Sequence, residues 1–334
     1  SEVAATAGSP PARRPILDEN PRLFGAARPE VVFWRDNSLW CPYCLRVWLL
    51  LEAMRLPYVM KTIPLRAYLR PGEVKPREYT TMVPSGVVPA LQFRTTTSAD
   101  AEDTQEDEFG PAIEGVARLV GLLEQRYPSA FPGRPDHDAV AATCYDAVVR
   151  PGGVRDAFEL ARRAYETCAG APVVARGVSS AHEYFHVTGL VDACRSLDAV
   201  LQVSGGPFVC GAAPTAADYE LLPLLERASC VPLYFWGPDA LGSGEEEEEE
   251  EDPVALFAGL RRLLAAATAS TPFAHLASDA TTLCRTNLRY APPGFAPKDT
   301  AYAERVDRDP AWLRAATPAA CRDAAARLAR NAEG

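Results

Sequence analysis

The chain has 334 residues, of which 48% are hydrophobic and 23% charged, a mix that supports a buried core and excludes fibrous, coiled-coil and mostly disordered classes. Its formal net charge of -10 argues against a general nucleic-acid binder, which needs a basic face. The acid is concentrated in Glu245 to Asp252 and Asp100 to Glu108, and no apolar run approaches the roughly 18 residues that cross a bilayer.

Residues 1–29 hold Pro10, Pro11, Pro15, Pro21 and Pro29 without sustained periodicity and are read as an extended arm. Nothing in the arm reads as a signal peptide. Val31-Val32-Phe33-Trp34 has the form of a buried strand, and Asp36-Asn37-Ser38 that of a turn. Cys41-Pro42-Tyr43-Cys44 follows, and then Val47, Leu50, Leu51 and Met54 at the spacing of one helix face. Pro57 ends that helix, and Tyr58–Ile63 reads as a second strand parallel to the first, completing a βαβ unit.

Residues 65–84 are loop-like, with one helical turn expected near Arg77 to Thr81. Val87 to Phe93 reads as a third strand with a proline inside it. Residues 94–108 are expected to be a solvated acidic insertion, and Phe109 to Ile113 a weak edge strand because of Pro111. Val116, Leu119, Val120 and Leu123 mark a further amphipathic helix. Beyond it the strand signals stop, and helical patterns cover 138–149, 155–168, 181–203, 215–228, 254–268 and 311–331. The resulting organisation is the arm at 1–29, an α/β domain at 30–130, and a helical domain at 136–295 with an acidic loop at 243–252. An extension with a helix follows at 296–334.

Nine cysteines are spread singly except for the Cys41/Cys44 pair, the usage of a reducing compartment. The pair lies where a strand turns into a helix. Unpaired N–H groups and the positive dipole end favour a thiolate at Cys41. Pro42 suits the first helical position, where its missing N–H has no partner to lose. Cys41 is expected to be the exposed nucleophile, and Cys44, half-buried one turn on, a resolving thiol. Cys-x-x-Cys in a βαβ unit points to a thioredoxin-like redox site.

Two structural cysteines are one competing reading, and half of a zinc site is the other. The zinc site is set aside because no second Cys-x-x-Cys exists and His137, His182, His186 and His275 show no finger spacing, so no metal is expected. His182 and His186 stand at i, i+4 and are read as helix surface or packing. Val88-Pro89 opens a strand, where a cis peptide would present the Val88 main chain to an extended peptide. Thr215 and Asp218 form a capping-box pattern that starts a helix.

These pieces resemble the cytosolic-type glutathione transferases, most of all the omega-like class and a plant and algal plastid group. The resemblance rests on Phe33…Trp40-Cys41-Pro42-Tyr43-Cys44, Lys75 to Tyr79, Pro84-Ser85-Gly86-Val87-Val88-Pro89-Ala90-Leu91, Ile113-Glu114-Gly115 and Leu123 to Pro128. In the second half it rests on Gly206 to Gly211 and on Ala277-Ser278-Asp279…Leu288…Pro292-Pro293-Gly294. It implies a thioredoxin-like α/β domain followed by an all-α domain, with a glutathione site on the first and a cosubstrate cleft between them. By position, Cys41 would form the mixed disulfide with glutathione and Val88, before Pro89, would pair with the tripeptide backbone. Lys75 would face the glycine carboxylate and Glu114 the γ-glutamyl amine. Gly115 stands where the family usually has a serine that holds the γ-glutamyl carboxylate, so weaker binding is expected.

The function implied is a glutathione-dependent thiol transferase or reductase acting on a small electrophile or disulfide. The alternative is the same fold kept as a docking subunit of a larger complex, suggested by Gly115, the arm, the acidic segments and the C-terminal extension. The resemblance further implies a plastid location, in the stroma or at its membrane surface, with the cytoplasm second.

Overall fold

A five-stranded mixed sheet forms the first half of the computed structural model, which describes residues 20–37, 41–65, 74–95, 108–168, 189–231, 257–277 and 283–284. The strands are β1 (Asn20–Arg22), β2 (Val31–Asp36), β3 (Tyr58–Ile63), β4 (Ala90–Phe93) and β5 (Ile113–Glu114). Their spatial order is β1-β3-β2-β4-β5. β2 and β3 run parallel, with Val31 opposite Tyr58 and Asp36 opposite Ile63. They are joined by α1 (Pro42–Ala53), the expected βαβ crossover. β4 runs antiparallel to β2, Phe33 facing Leu91, and β5 pairs antiparallel with β4.

Four strand expectations are corrected. The expected third strand is Ala90–Phe93, with Val87, Val88 and Pro89 in the loop before it and not within it. The arm contains β1, which pairs antiparallel with β3; Arg22 reaches Glu52 of α1 at 3.2 Å, and Glu52 accepts from the Tyr58 hydroxyl at 2.7 Å. A long-range pairing of three residues leaves no periodicity to read. The edge strand is Ile113–Glu114, while Phe109 makes only an isolated bridge to Arg94. Asp36 is the last residue of β2 and fully buried, not a turn residue.

α1 is buried on nearly all sides and not along one stripe, as the run Val47-Trp48-Leu49-Leu50-Leu51 explains in retrospect. α2 (Arg77–Met82) occupies the expected helical turn and α3 (Val116–Arg126) the expected amphipathic helix. The helices that follow are α4 (Ala139–Val149), α5 (Val154–Cys168), α6 (Leu190–Ser204), α7 (Ala216–Ala228), α8 (Ala258–Ser270) and α9 (Phe273–Leu276). The expected helix at 311–331, the His182/His186 pair and the acidic run 245–252 lie outside the described residues, as does most of the acidic insertion, 96–107.

α7 is the hub of the helical half, every one of its residues buried. Its start is fixed by Asp218, whose carboxylate accepts from Thr215 N and from Val209 N, both at 2.8 Å. Burial holds the Asp218 carboxyl up at about 6 against these hydrogen bonds. Upstream, Gly206 leaves no room for a side chain, since a Cβ would sit 2.2 Å from the Gly211 carbonyl oxygen. α7 packs on α1, and one continuous apolar core runs from Phe33 and Trp48 through Leu222 and Leu225 to Leu260. The N-terminus of α1 is therefore placed between the end of β2 and the second half of the chain.

Candidate active site

Cys41 is the N-cap of α1 and Pro42 its first residue, as the spacing predicts. The helix start has no side-chain cap from Cys41 itself. Instead, Cys41 N donates to Asp36 Oδ2 at 3.4 Å, a long hydrogen bond, while Asp36 Oδ1 accepts from Arg35 Nη2 at 3.0 Å. The Arg35 guanidinium also lies 4.3 Å from the Trp48 ring centre. Asp36 and Arg35 are wholly buried, and an ion pair so placed contributes little net stability.

The two sulfurs depart from expectation in their exposure. Cys41 is 6% exposed and Cys44 fully buried, so the pair forms an enclosed dithiol and not an open nucleophile with a half-buried partner. The reason is tertiary: α7 lies against α1, and its buried Arg227 acts on Cys41 electrostatically. Hydrogen bonding from the Cys44 thiol is the main cause that lowers the Cys41 pKa below its ordinary value; burial and the Asp36 charge oppose it, and Arg227 assists. Burial and the same hydrogen bond hold the Cys44 thiol well above its ordinary value. The asymmetry makes Cys41 the more acidic thiol of the pair.

The loop before β4 lies at the end of the sheet where β2 ends, since Ala90 pairs with Trp34. Val88-Pro89 is a cis peptide. The Val88 main chain makes no hydrogen bond to another described residue. Tyr79 donates its hydroxyl to the Val87 carbonyl, and Val87 N donates to Ser85 Oγ at 3.1 Å. Ser85 in turn donates to the Glu114 carboxylate. Lys75 donates to the Gly86 carbonyl; burial lowers its pKa, and the charges of Cys44 and Cys41 oppose that shift. Glu114 ends β5, and Gly115, exposed at φ +94°, precedes α3.

A clamp ties the dithiol helix to α5. The Tyr43 hydroxyl donates to Glu159 Oε1 at 2.5 Å and accepts from Arg162 Nη2 at 2.5 Å. Arg46 Nη2 reaches Glu159 Oε2 at 2.7 Å. Against the effect of burial, Arg162 and Arg46 hold the Glu159 carboxyl down at about 2. Burial and Glu159 raise the Tyr43 phenol.

Residues 40–104 match the glutathione S-transferase N-terminal domain family. Glutathione S-transferase DHAR2 of Arabidopsis thaliana is 26% identical over 186 residues, which is 55% of this chain and 65% of that protein, just under two thirds of its length. The crystal structure of Chlamydomonas reinhardtii dehydroascorbate reductase superimposes with a TM-score of 0.51 at 19% identity, covering 78% of this chain and 98% of that one. Leishmania TDR1, a trimeric glutathione transferase, gives 0.53 at 17% identity, covering 79% of this chain and 50% of that one. The chain has a glutathione transferase-like fold.

In this glutathione transferase-like chain, Lys75, Val88, Pro89, Glu114 and Gly115 are carried by α2's approach, the loop before β4 and the β5–α3 junction, on the side of the sheet that ends at Cys41. Lys75 is directed to the Gly86 carbonyl and feels both sulfurs, where the resemblance places it on a carboxylate. Asp36, Arg227, Ser85 and the Tyr43–Glu159 clamp were not anticipated from sequence. The one readable signal among them was a charged pair, Arg35-Asp36, ending an otherwise apolar strand.

Proposed function

We propose that the chain is a glutathione-dependent thiol transferase or reductase with Cys41 as nucleophile. The observation that carries this reading is the Cys41/Cys44 dithiol at the start of α1, its two thiols unequal in acidity, at the end of the sheet that also carries Val88 and Glu114 and with Lys75 in electrostatic reach of both sulfurs. A charged tripeptide needs a cation, an anion and backbone partners, and Lys75, Glu114 and the Val88 main chain are groups of these three kinds.

In the disulfide version, Cys41 thiolate attacks the glutathionyl sulfur of a mixed disulfide. That S–S bond breaks, the substrate leaves as a thiolate that takes up a proton, and Cys41 carries glutathione. A second glutathione thiolate then attacks the glutathionyl sulfur, releasing glutathione disulfide and the Cys41 thiolate. Alternatively Cys44, once deprotonated, attacks Cys41 sulfur and expels glutathione, leaving a Cys41–Cys44 disulfide. The Chlamydomonas neighbour is a dehydroascorbate reductase, which makes dehydroascorbate one cosubstrate to assay. Burial of Cys41 sets a condition: the sulfur must be uncovered before attack.

Incubation of the reduced protein with glutathione disulfide, followed by intact mass and peptide mapping, tests the reading. One glutathione on Cys41 is expected, lost in Cys41→Ser and more persistent in Cys44→Ser. Absence of any adduct on Cys41 defeats the proposal. Two observations, the enclosed Cys41 and the glycine at 115, favour the second reading, a fold retained for docking to other proteins. Under that reading, the purified chain turns over no glutathione.

A further inference from the structure

We propose that Asp36, Cys41 and Cys44 form a binding site for a thiophilic divalent cation, with zinc as the ion to test. Counting only cysteines and histidines, the sequence offers two ligands here; folding adds a third at the end of β2. One carboxylate oxygen and the two sulfurs all lie within 4.8 Å of one another, and all three residues are buried. Around zinc, bonds of about 2.3 Å to sulfur and about 2.0 Å to oxygen bring such donors to roughly 3.4–3.8 Å from one another, so loading the site requires the donors to close to that spacing.

The donor set suits the ion. Two thiolates select a soft or borderline metal over magnesium or calcium. Three protein ligands leave the fourth tetrahedral position open. Arg35 holds the other oxygen of Asp36 at 3.0 Å and so orients the carboxylate, as outer partners of metal ligands commonly do. Oδ2 accepts from Cys41 N in a contact that is long at 3.4 Å. Charge also balances: the dication replaces the two thiol protons, which are released, so Arg35 and Arg227 face the same total charge with the metal as without it. Neither sulfur changes oxidation state. A loaded site occupies the Cys41 lone pair and suppresses its nucleophilicity, which makes metal and glutathione alternative occupants of one sulfur. Metal binding itself does not depend on the glutathione reading.

The test uses the full reduced chain, zinc or cobalt ion alone, and no glutathione. Expected are one zinc per chain in competition with a chromophoric chelator, about two protons released per ion below the thiol titration range, and thiolate-to-cobalt charge transfer with a tetrahedral spectrum. Cys41→Ser and Cys44→Ser should each abolish the charge transfer or reduce it by half. Asp36→Asn should weaken zinc by roughly tenfold or more. Zinc-edge absorption on the unmodified protein should count two sulfurs, which keeps the proposal falsifiable if Asp36→Asn does not fold. No binding, binding that survives loss of both cysteines, four sulfurs at the metal, or unchanged affinity in folded Asp36→Asn overturns it. The glutathione adduct, measured separately in metal-free buffer, stands or fails independently.

Discussion

At Gly115 the main chain has φ +94° and ψ 116°, a region closed to side chains by their own Cβ. Space is not the obstacle, because a Cβ there would meet nothing within 4 Å. Placing a serine there, as glutathione transferases usually have, should therefore strain the chain and not build a binding site. Gly115→Ser is expected to lose about 1–3 kcal/mol of stability in urea unfolding, with no tighter glutathione binding by equilibrium dialysis. Tighter binding at unchanged stability would refute this. The dithiol makes a second prediction at this scale. Since the Cys44 thiol hydrogen bond is the main cause of the low Cys41 value, Cys44→Ala should move the pH profile of Cys41 alkylation upward. An unmoved profile would place the cause elsewhere, in the helix dipole or in Arg227.

Among the elements, α1 depends on two neighbours for its orientation. Asp36 meets its first N–H, and the Tyr43–Glu159–Arg46–Arg162 clamp fastens its first turns to α5. Glu159 has a folded value of about 2 against an ordinary 4.5. An acid depressed in this way contributes stability above its unfolded value and loses it as pH falls through the folded one. The contribution should thus be complete above pH 4.5 and fade toward pH 2. Glu159→Gln should be less stable than wild type at neutral pH, and the difference should shrink across that window in denaturant titrations at stepped pH. A gap that is constant with pH would show that the carboxylate charge is not what holds the clamp.

On the scale of the whole molecule, one apolar core joins the sheet to the helical half through α1 and α7. Leu222 of α7 is fully buried in it. Leu222→Ala should destabilise by about 2–5 kcal/mol, and the tryptophan signal of Trp34 and Trp48 in the sheet half should move together with the helical circular dichroism. Separate transitions would mean that the two halves unfold independently. The same packing encloses Cys41, so access to the sulfur is governed by the junction between halves and not by the dithiol motif alone.

Local chemistry was legible from the residues. The βαβ unit, the N-capping Cys41 with Pro42 after it, the cis Val88-Pro89 bond and the capping box of α7 follow from spacing, proline geometry and turn residues, all of which act within a few positions. What the tertiary structure decided lies across long separations. Glu159 is 116 residues from Tyr43, Arg227 reaches Cys41 from a different half of the chain, and β1 joins the sheet across the Asn20–Met60 register. Asp36 is near in sequence, yet only the folded chain brings a carboxylate oxygen within 4.8 Å of both sulfurs. Periodicity reports which face of an element is apolar; it carries no information on which element covers that face, and so the enclosure of the dithiol could be seen only once the chain was folded.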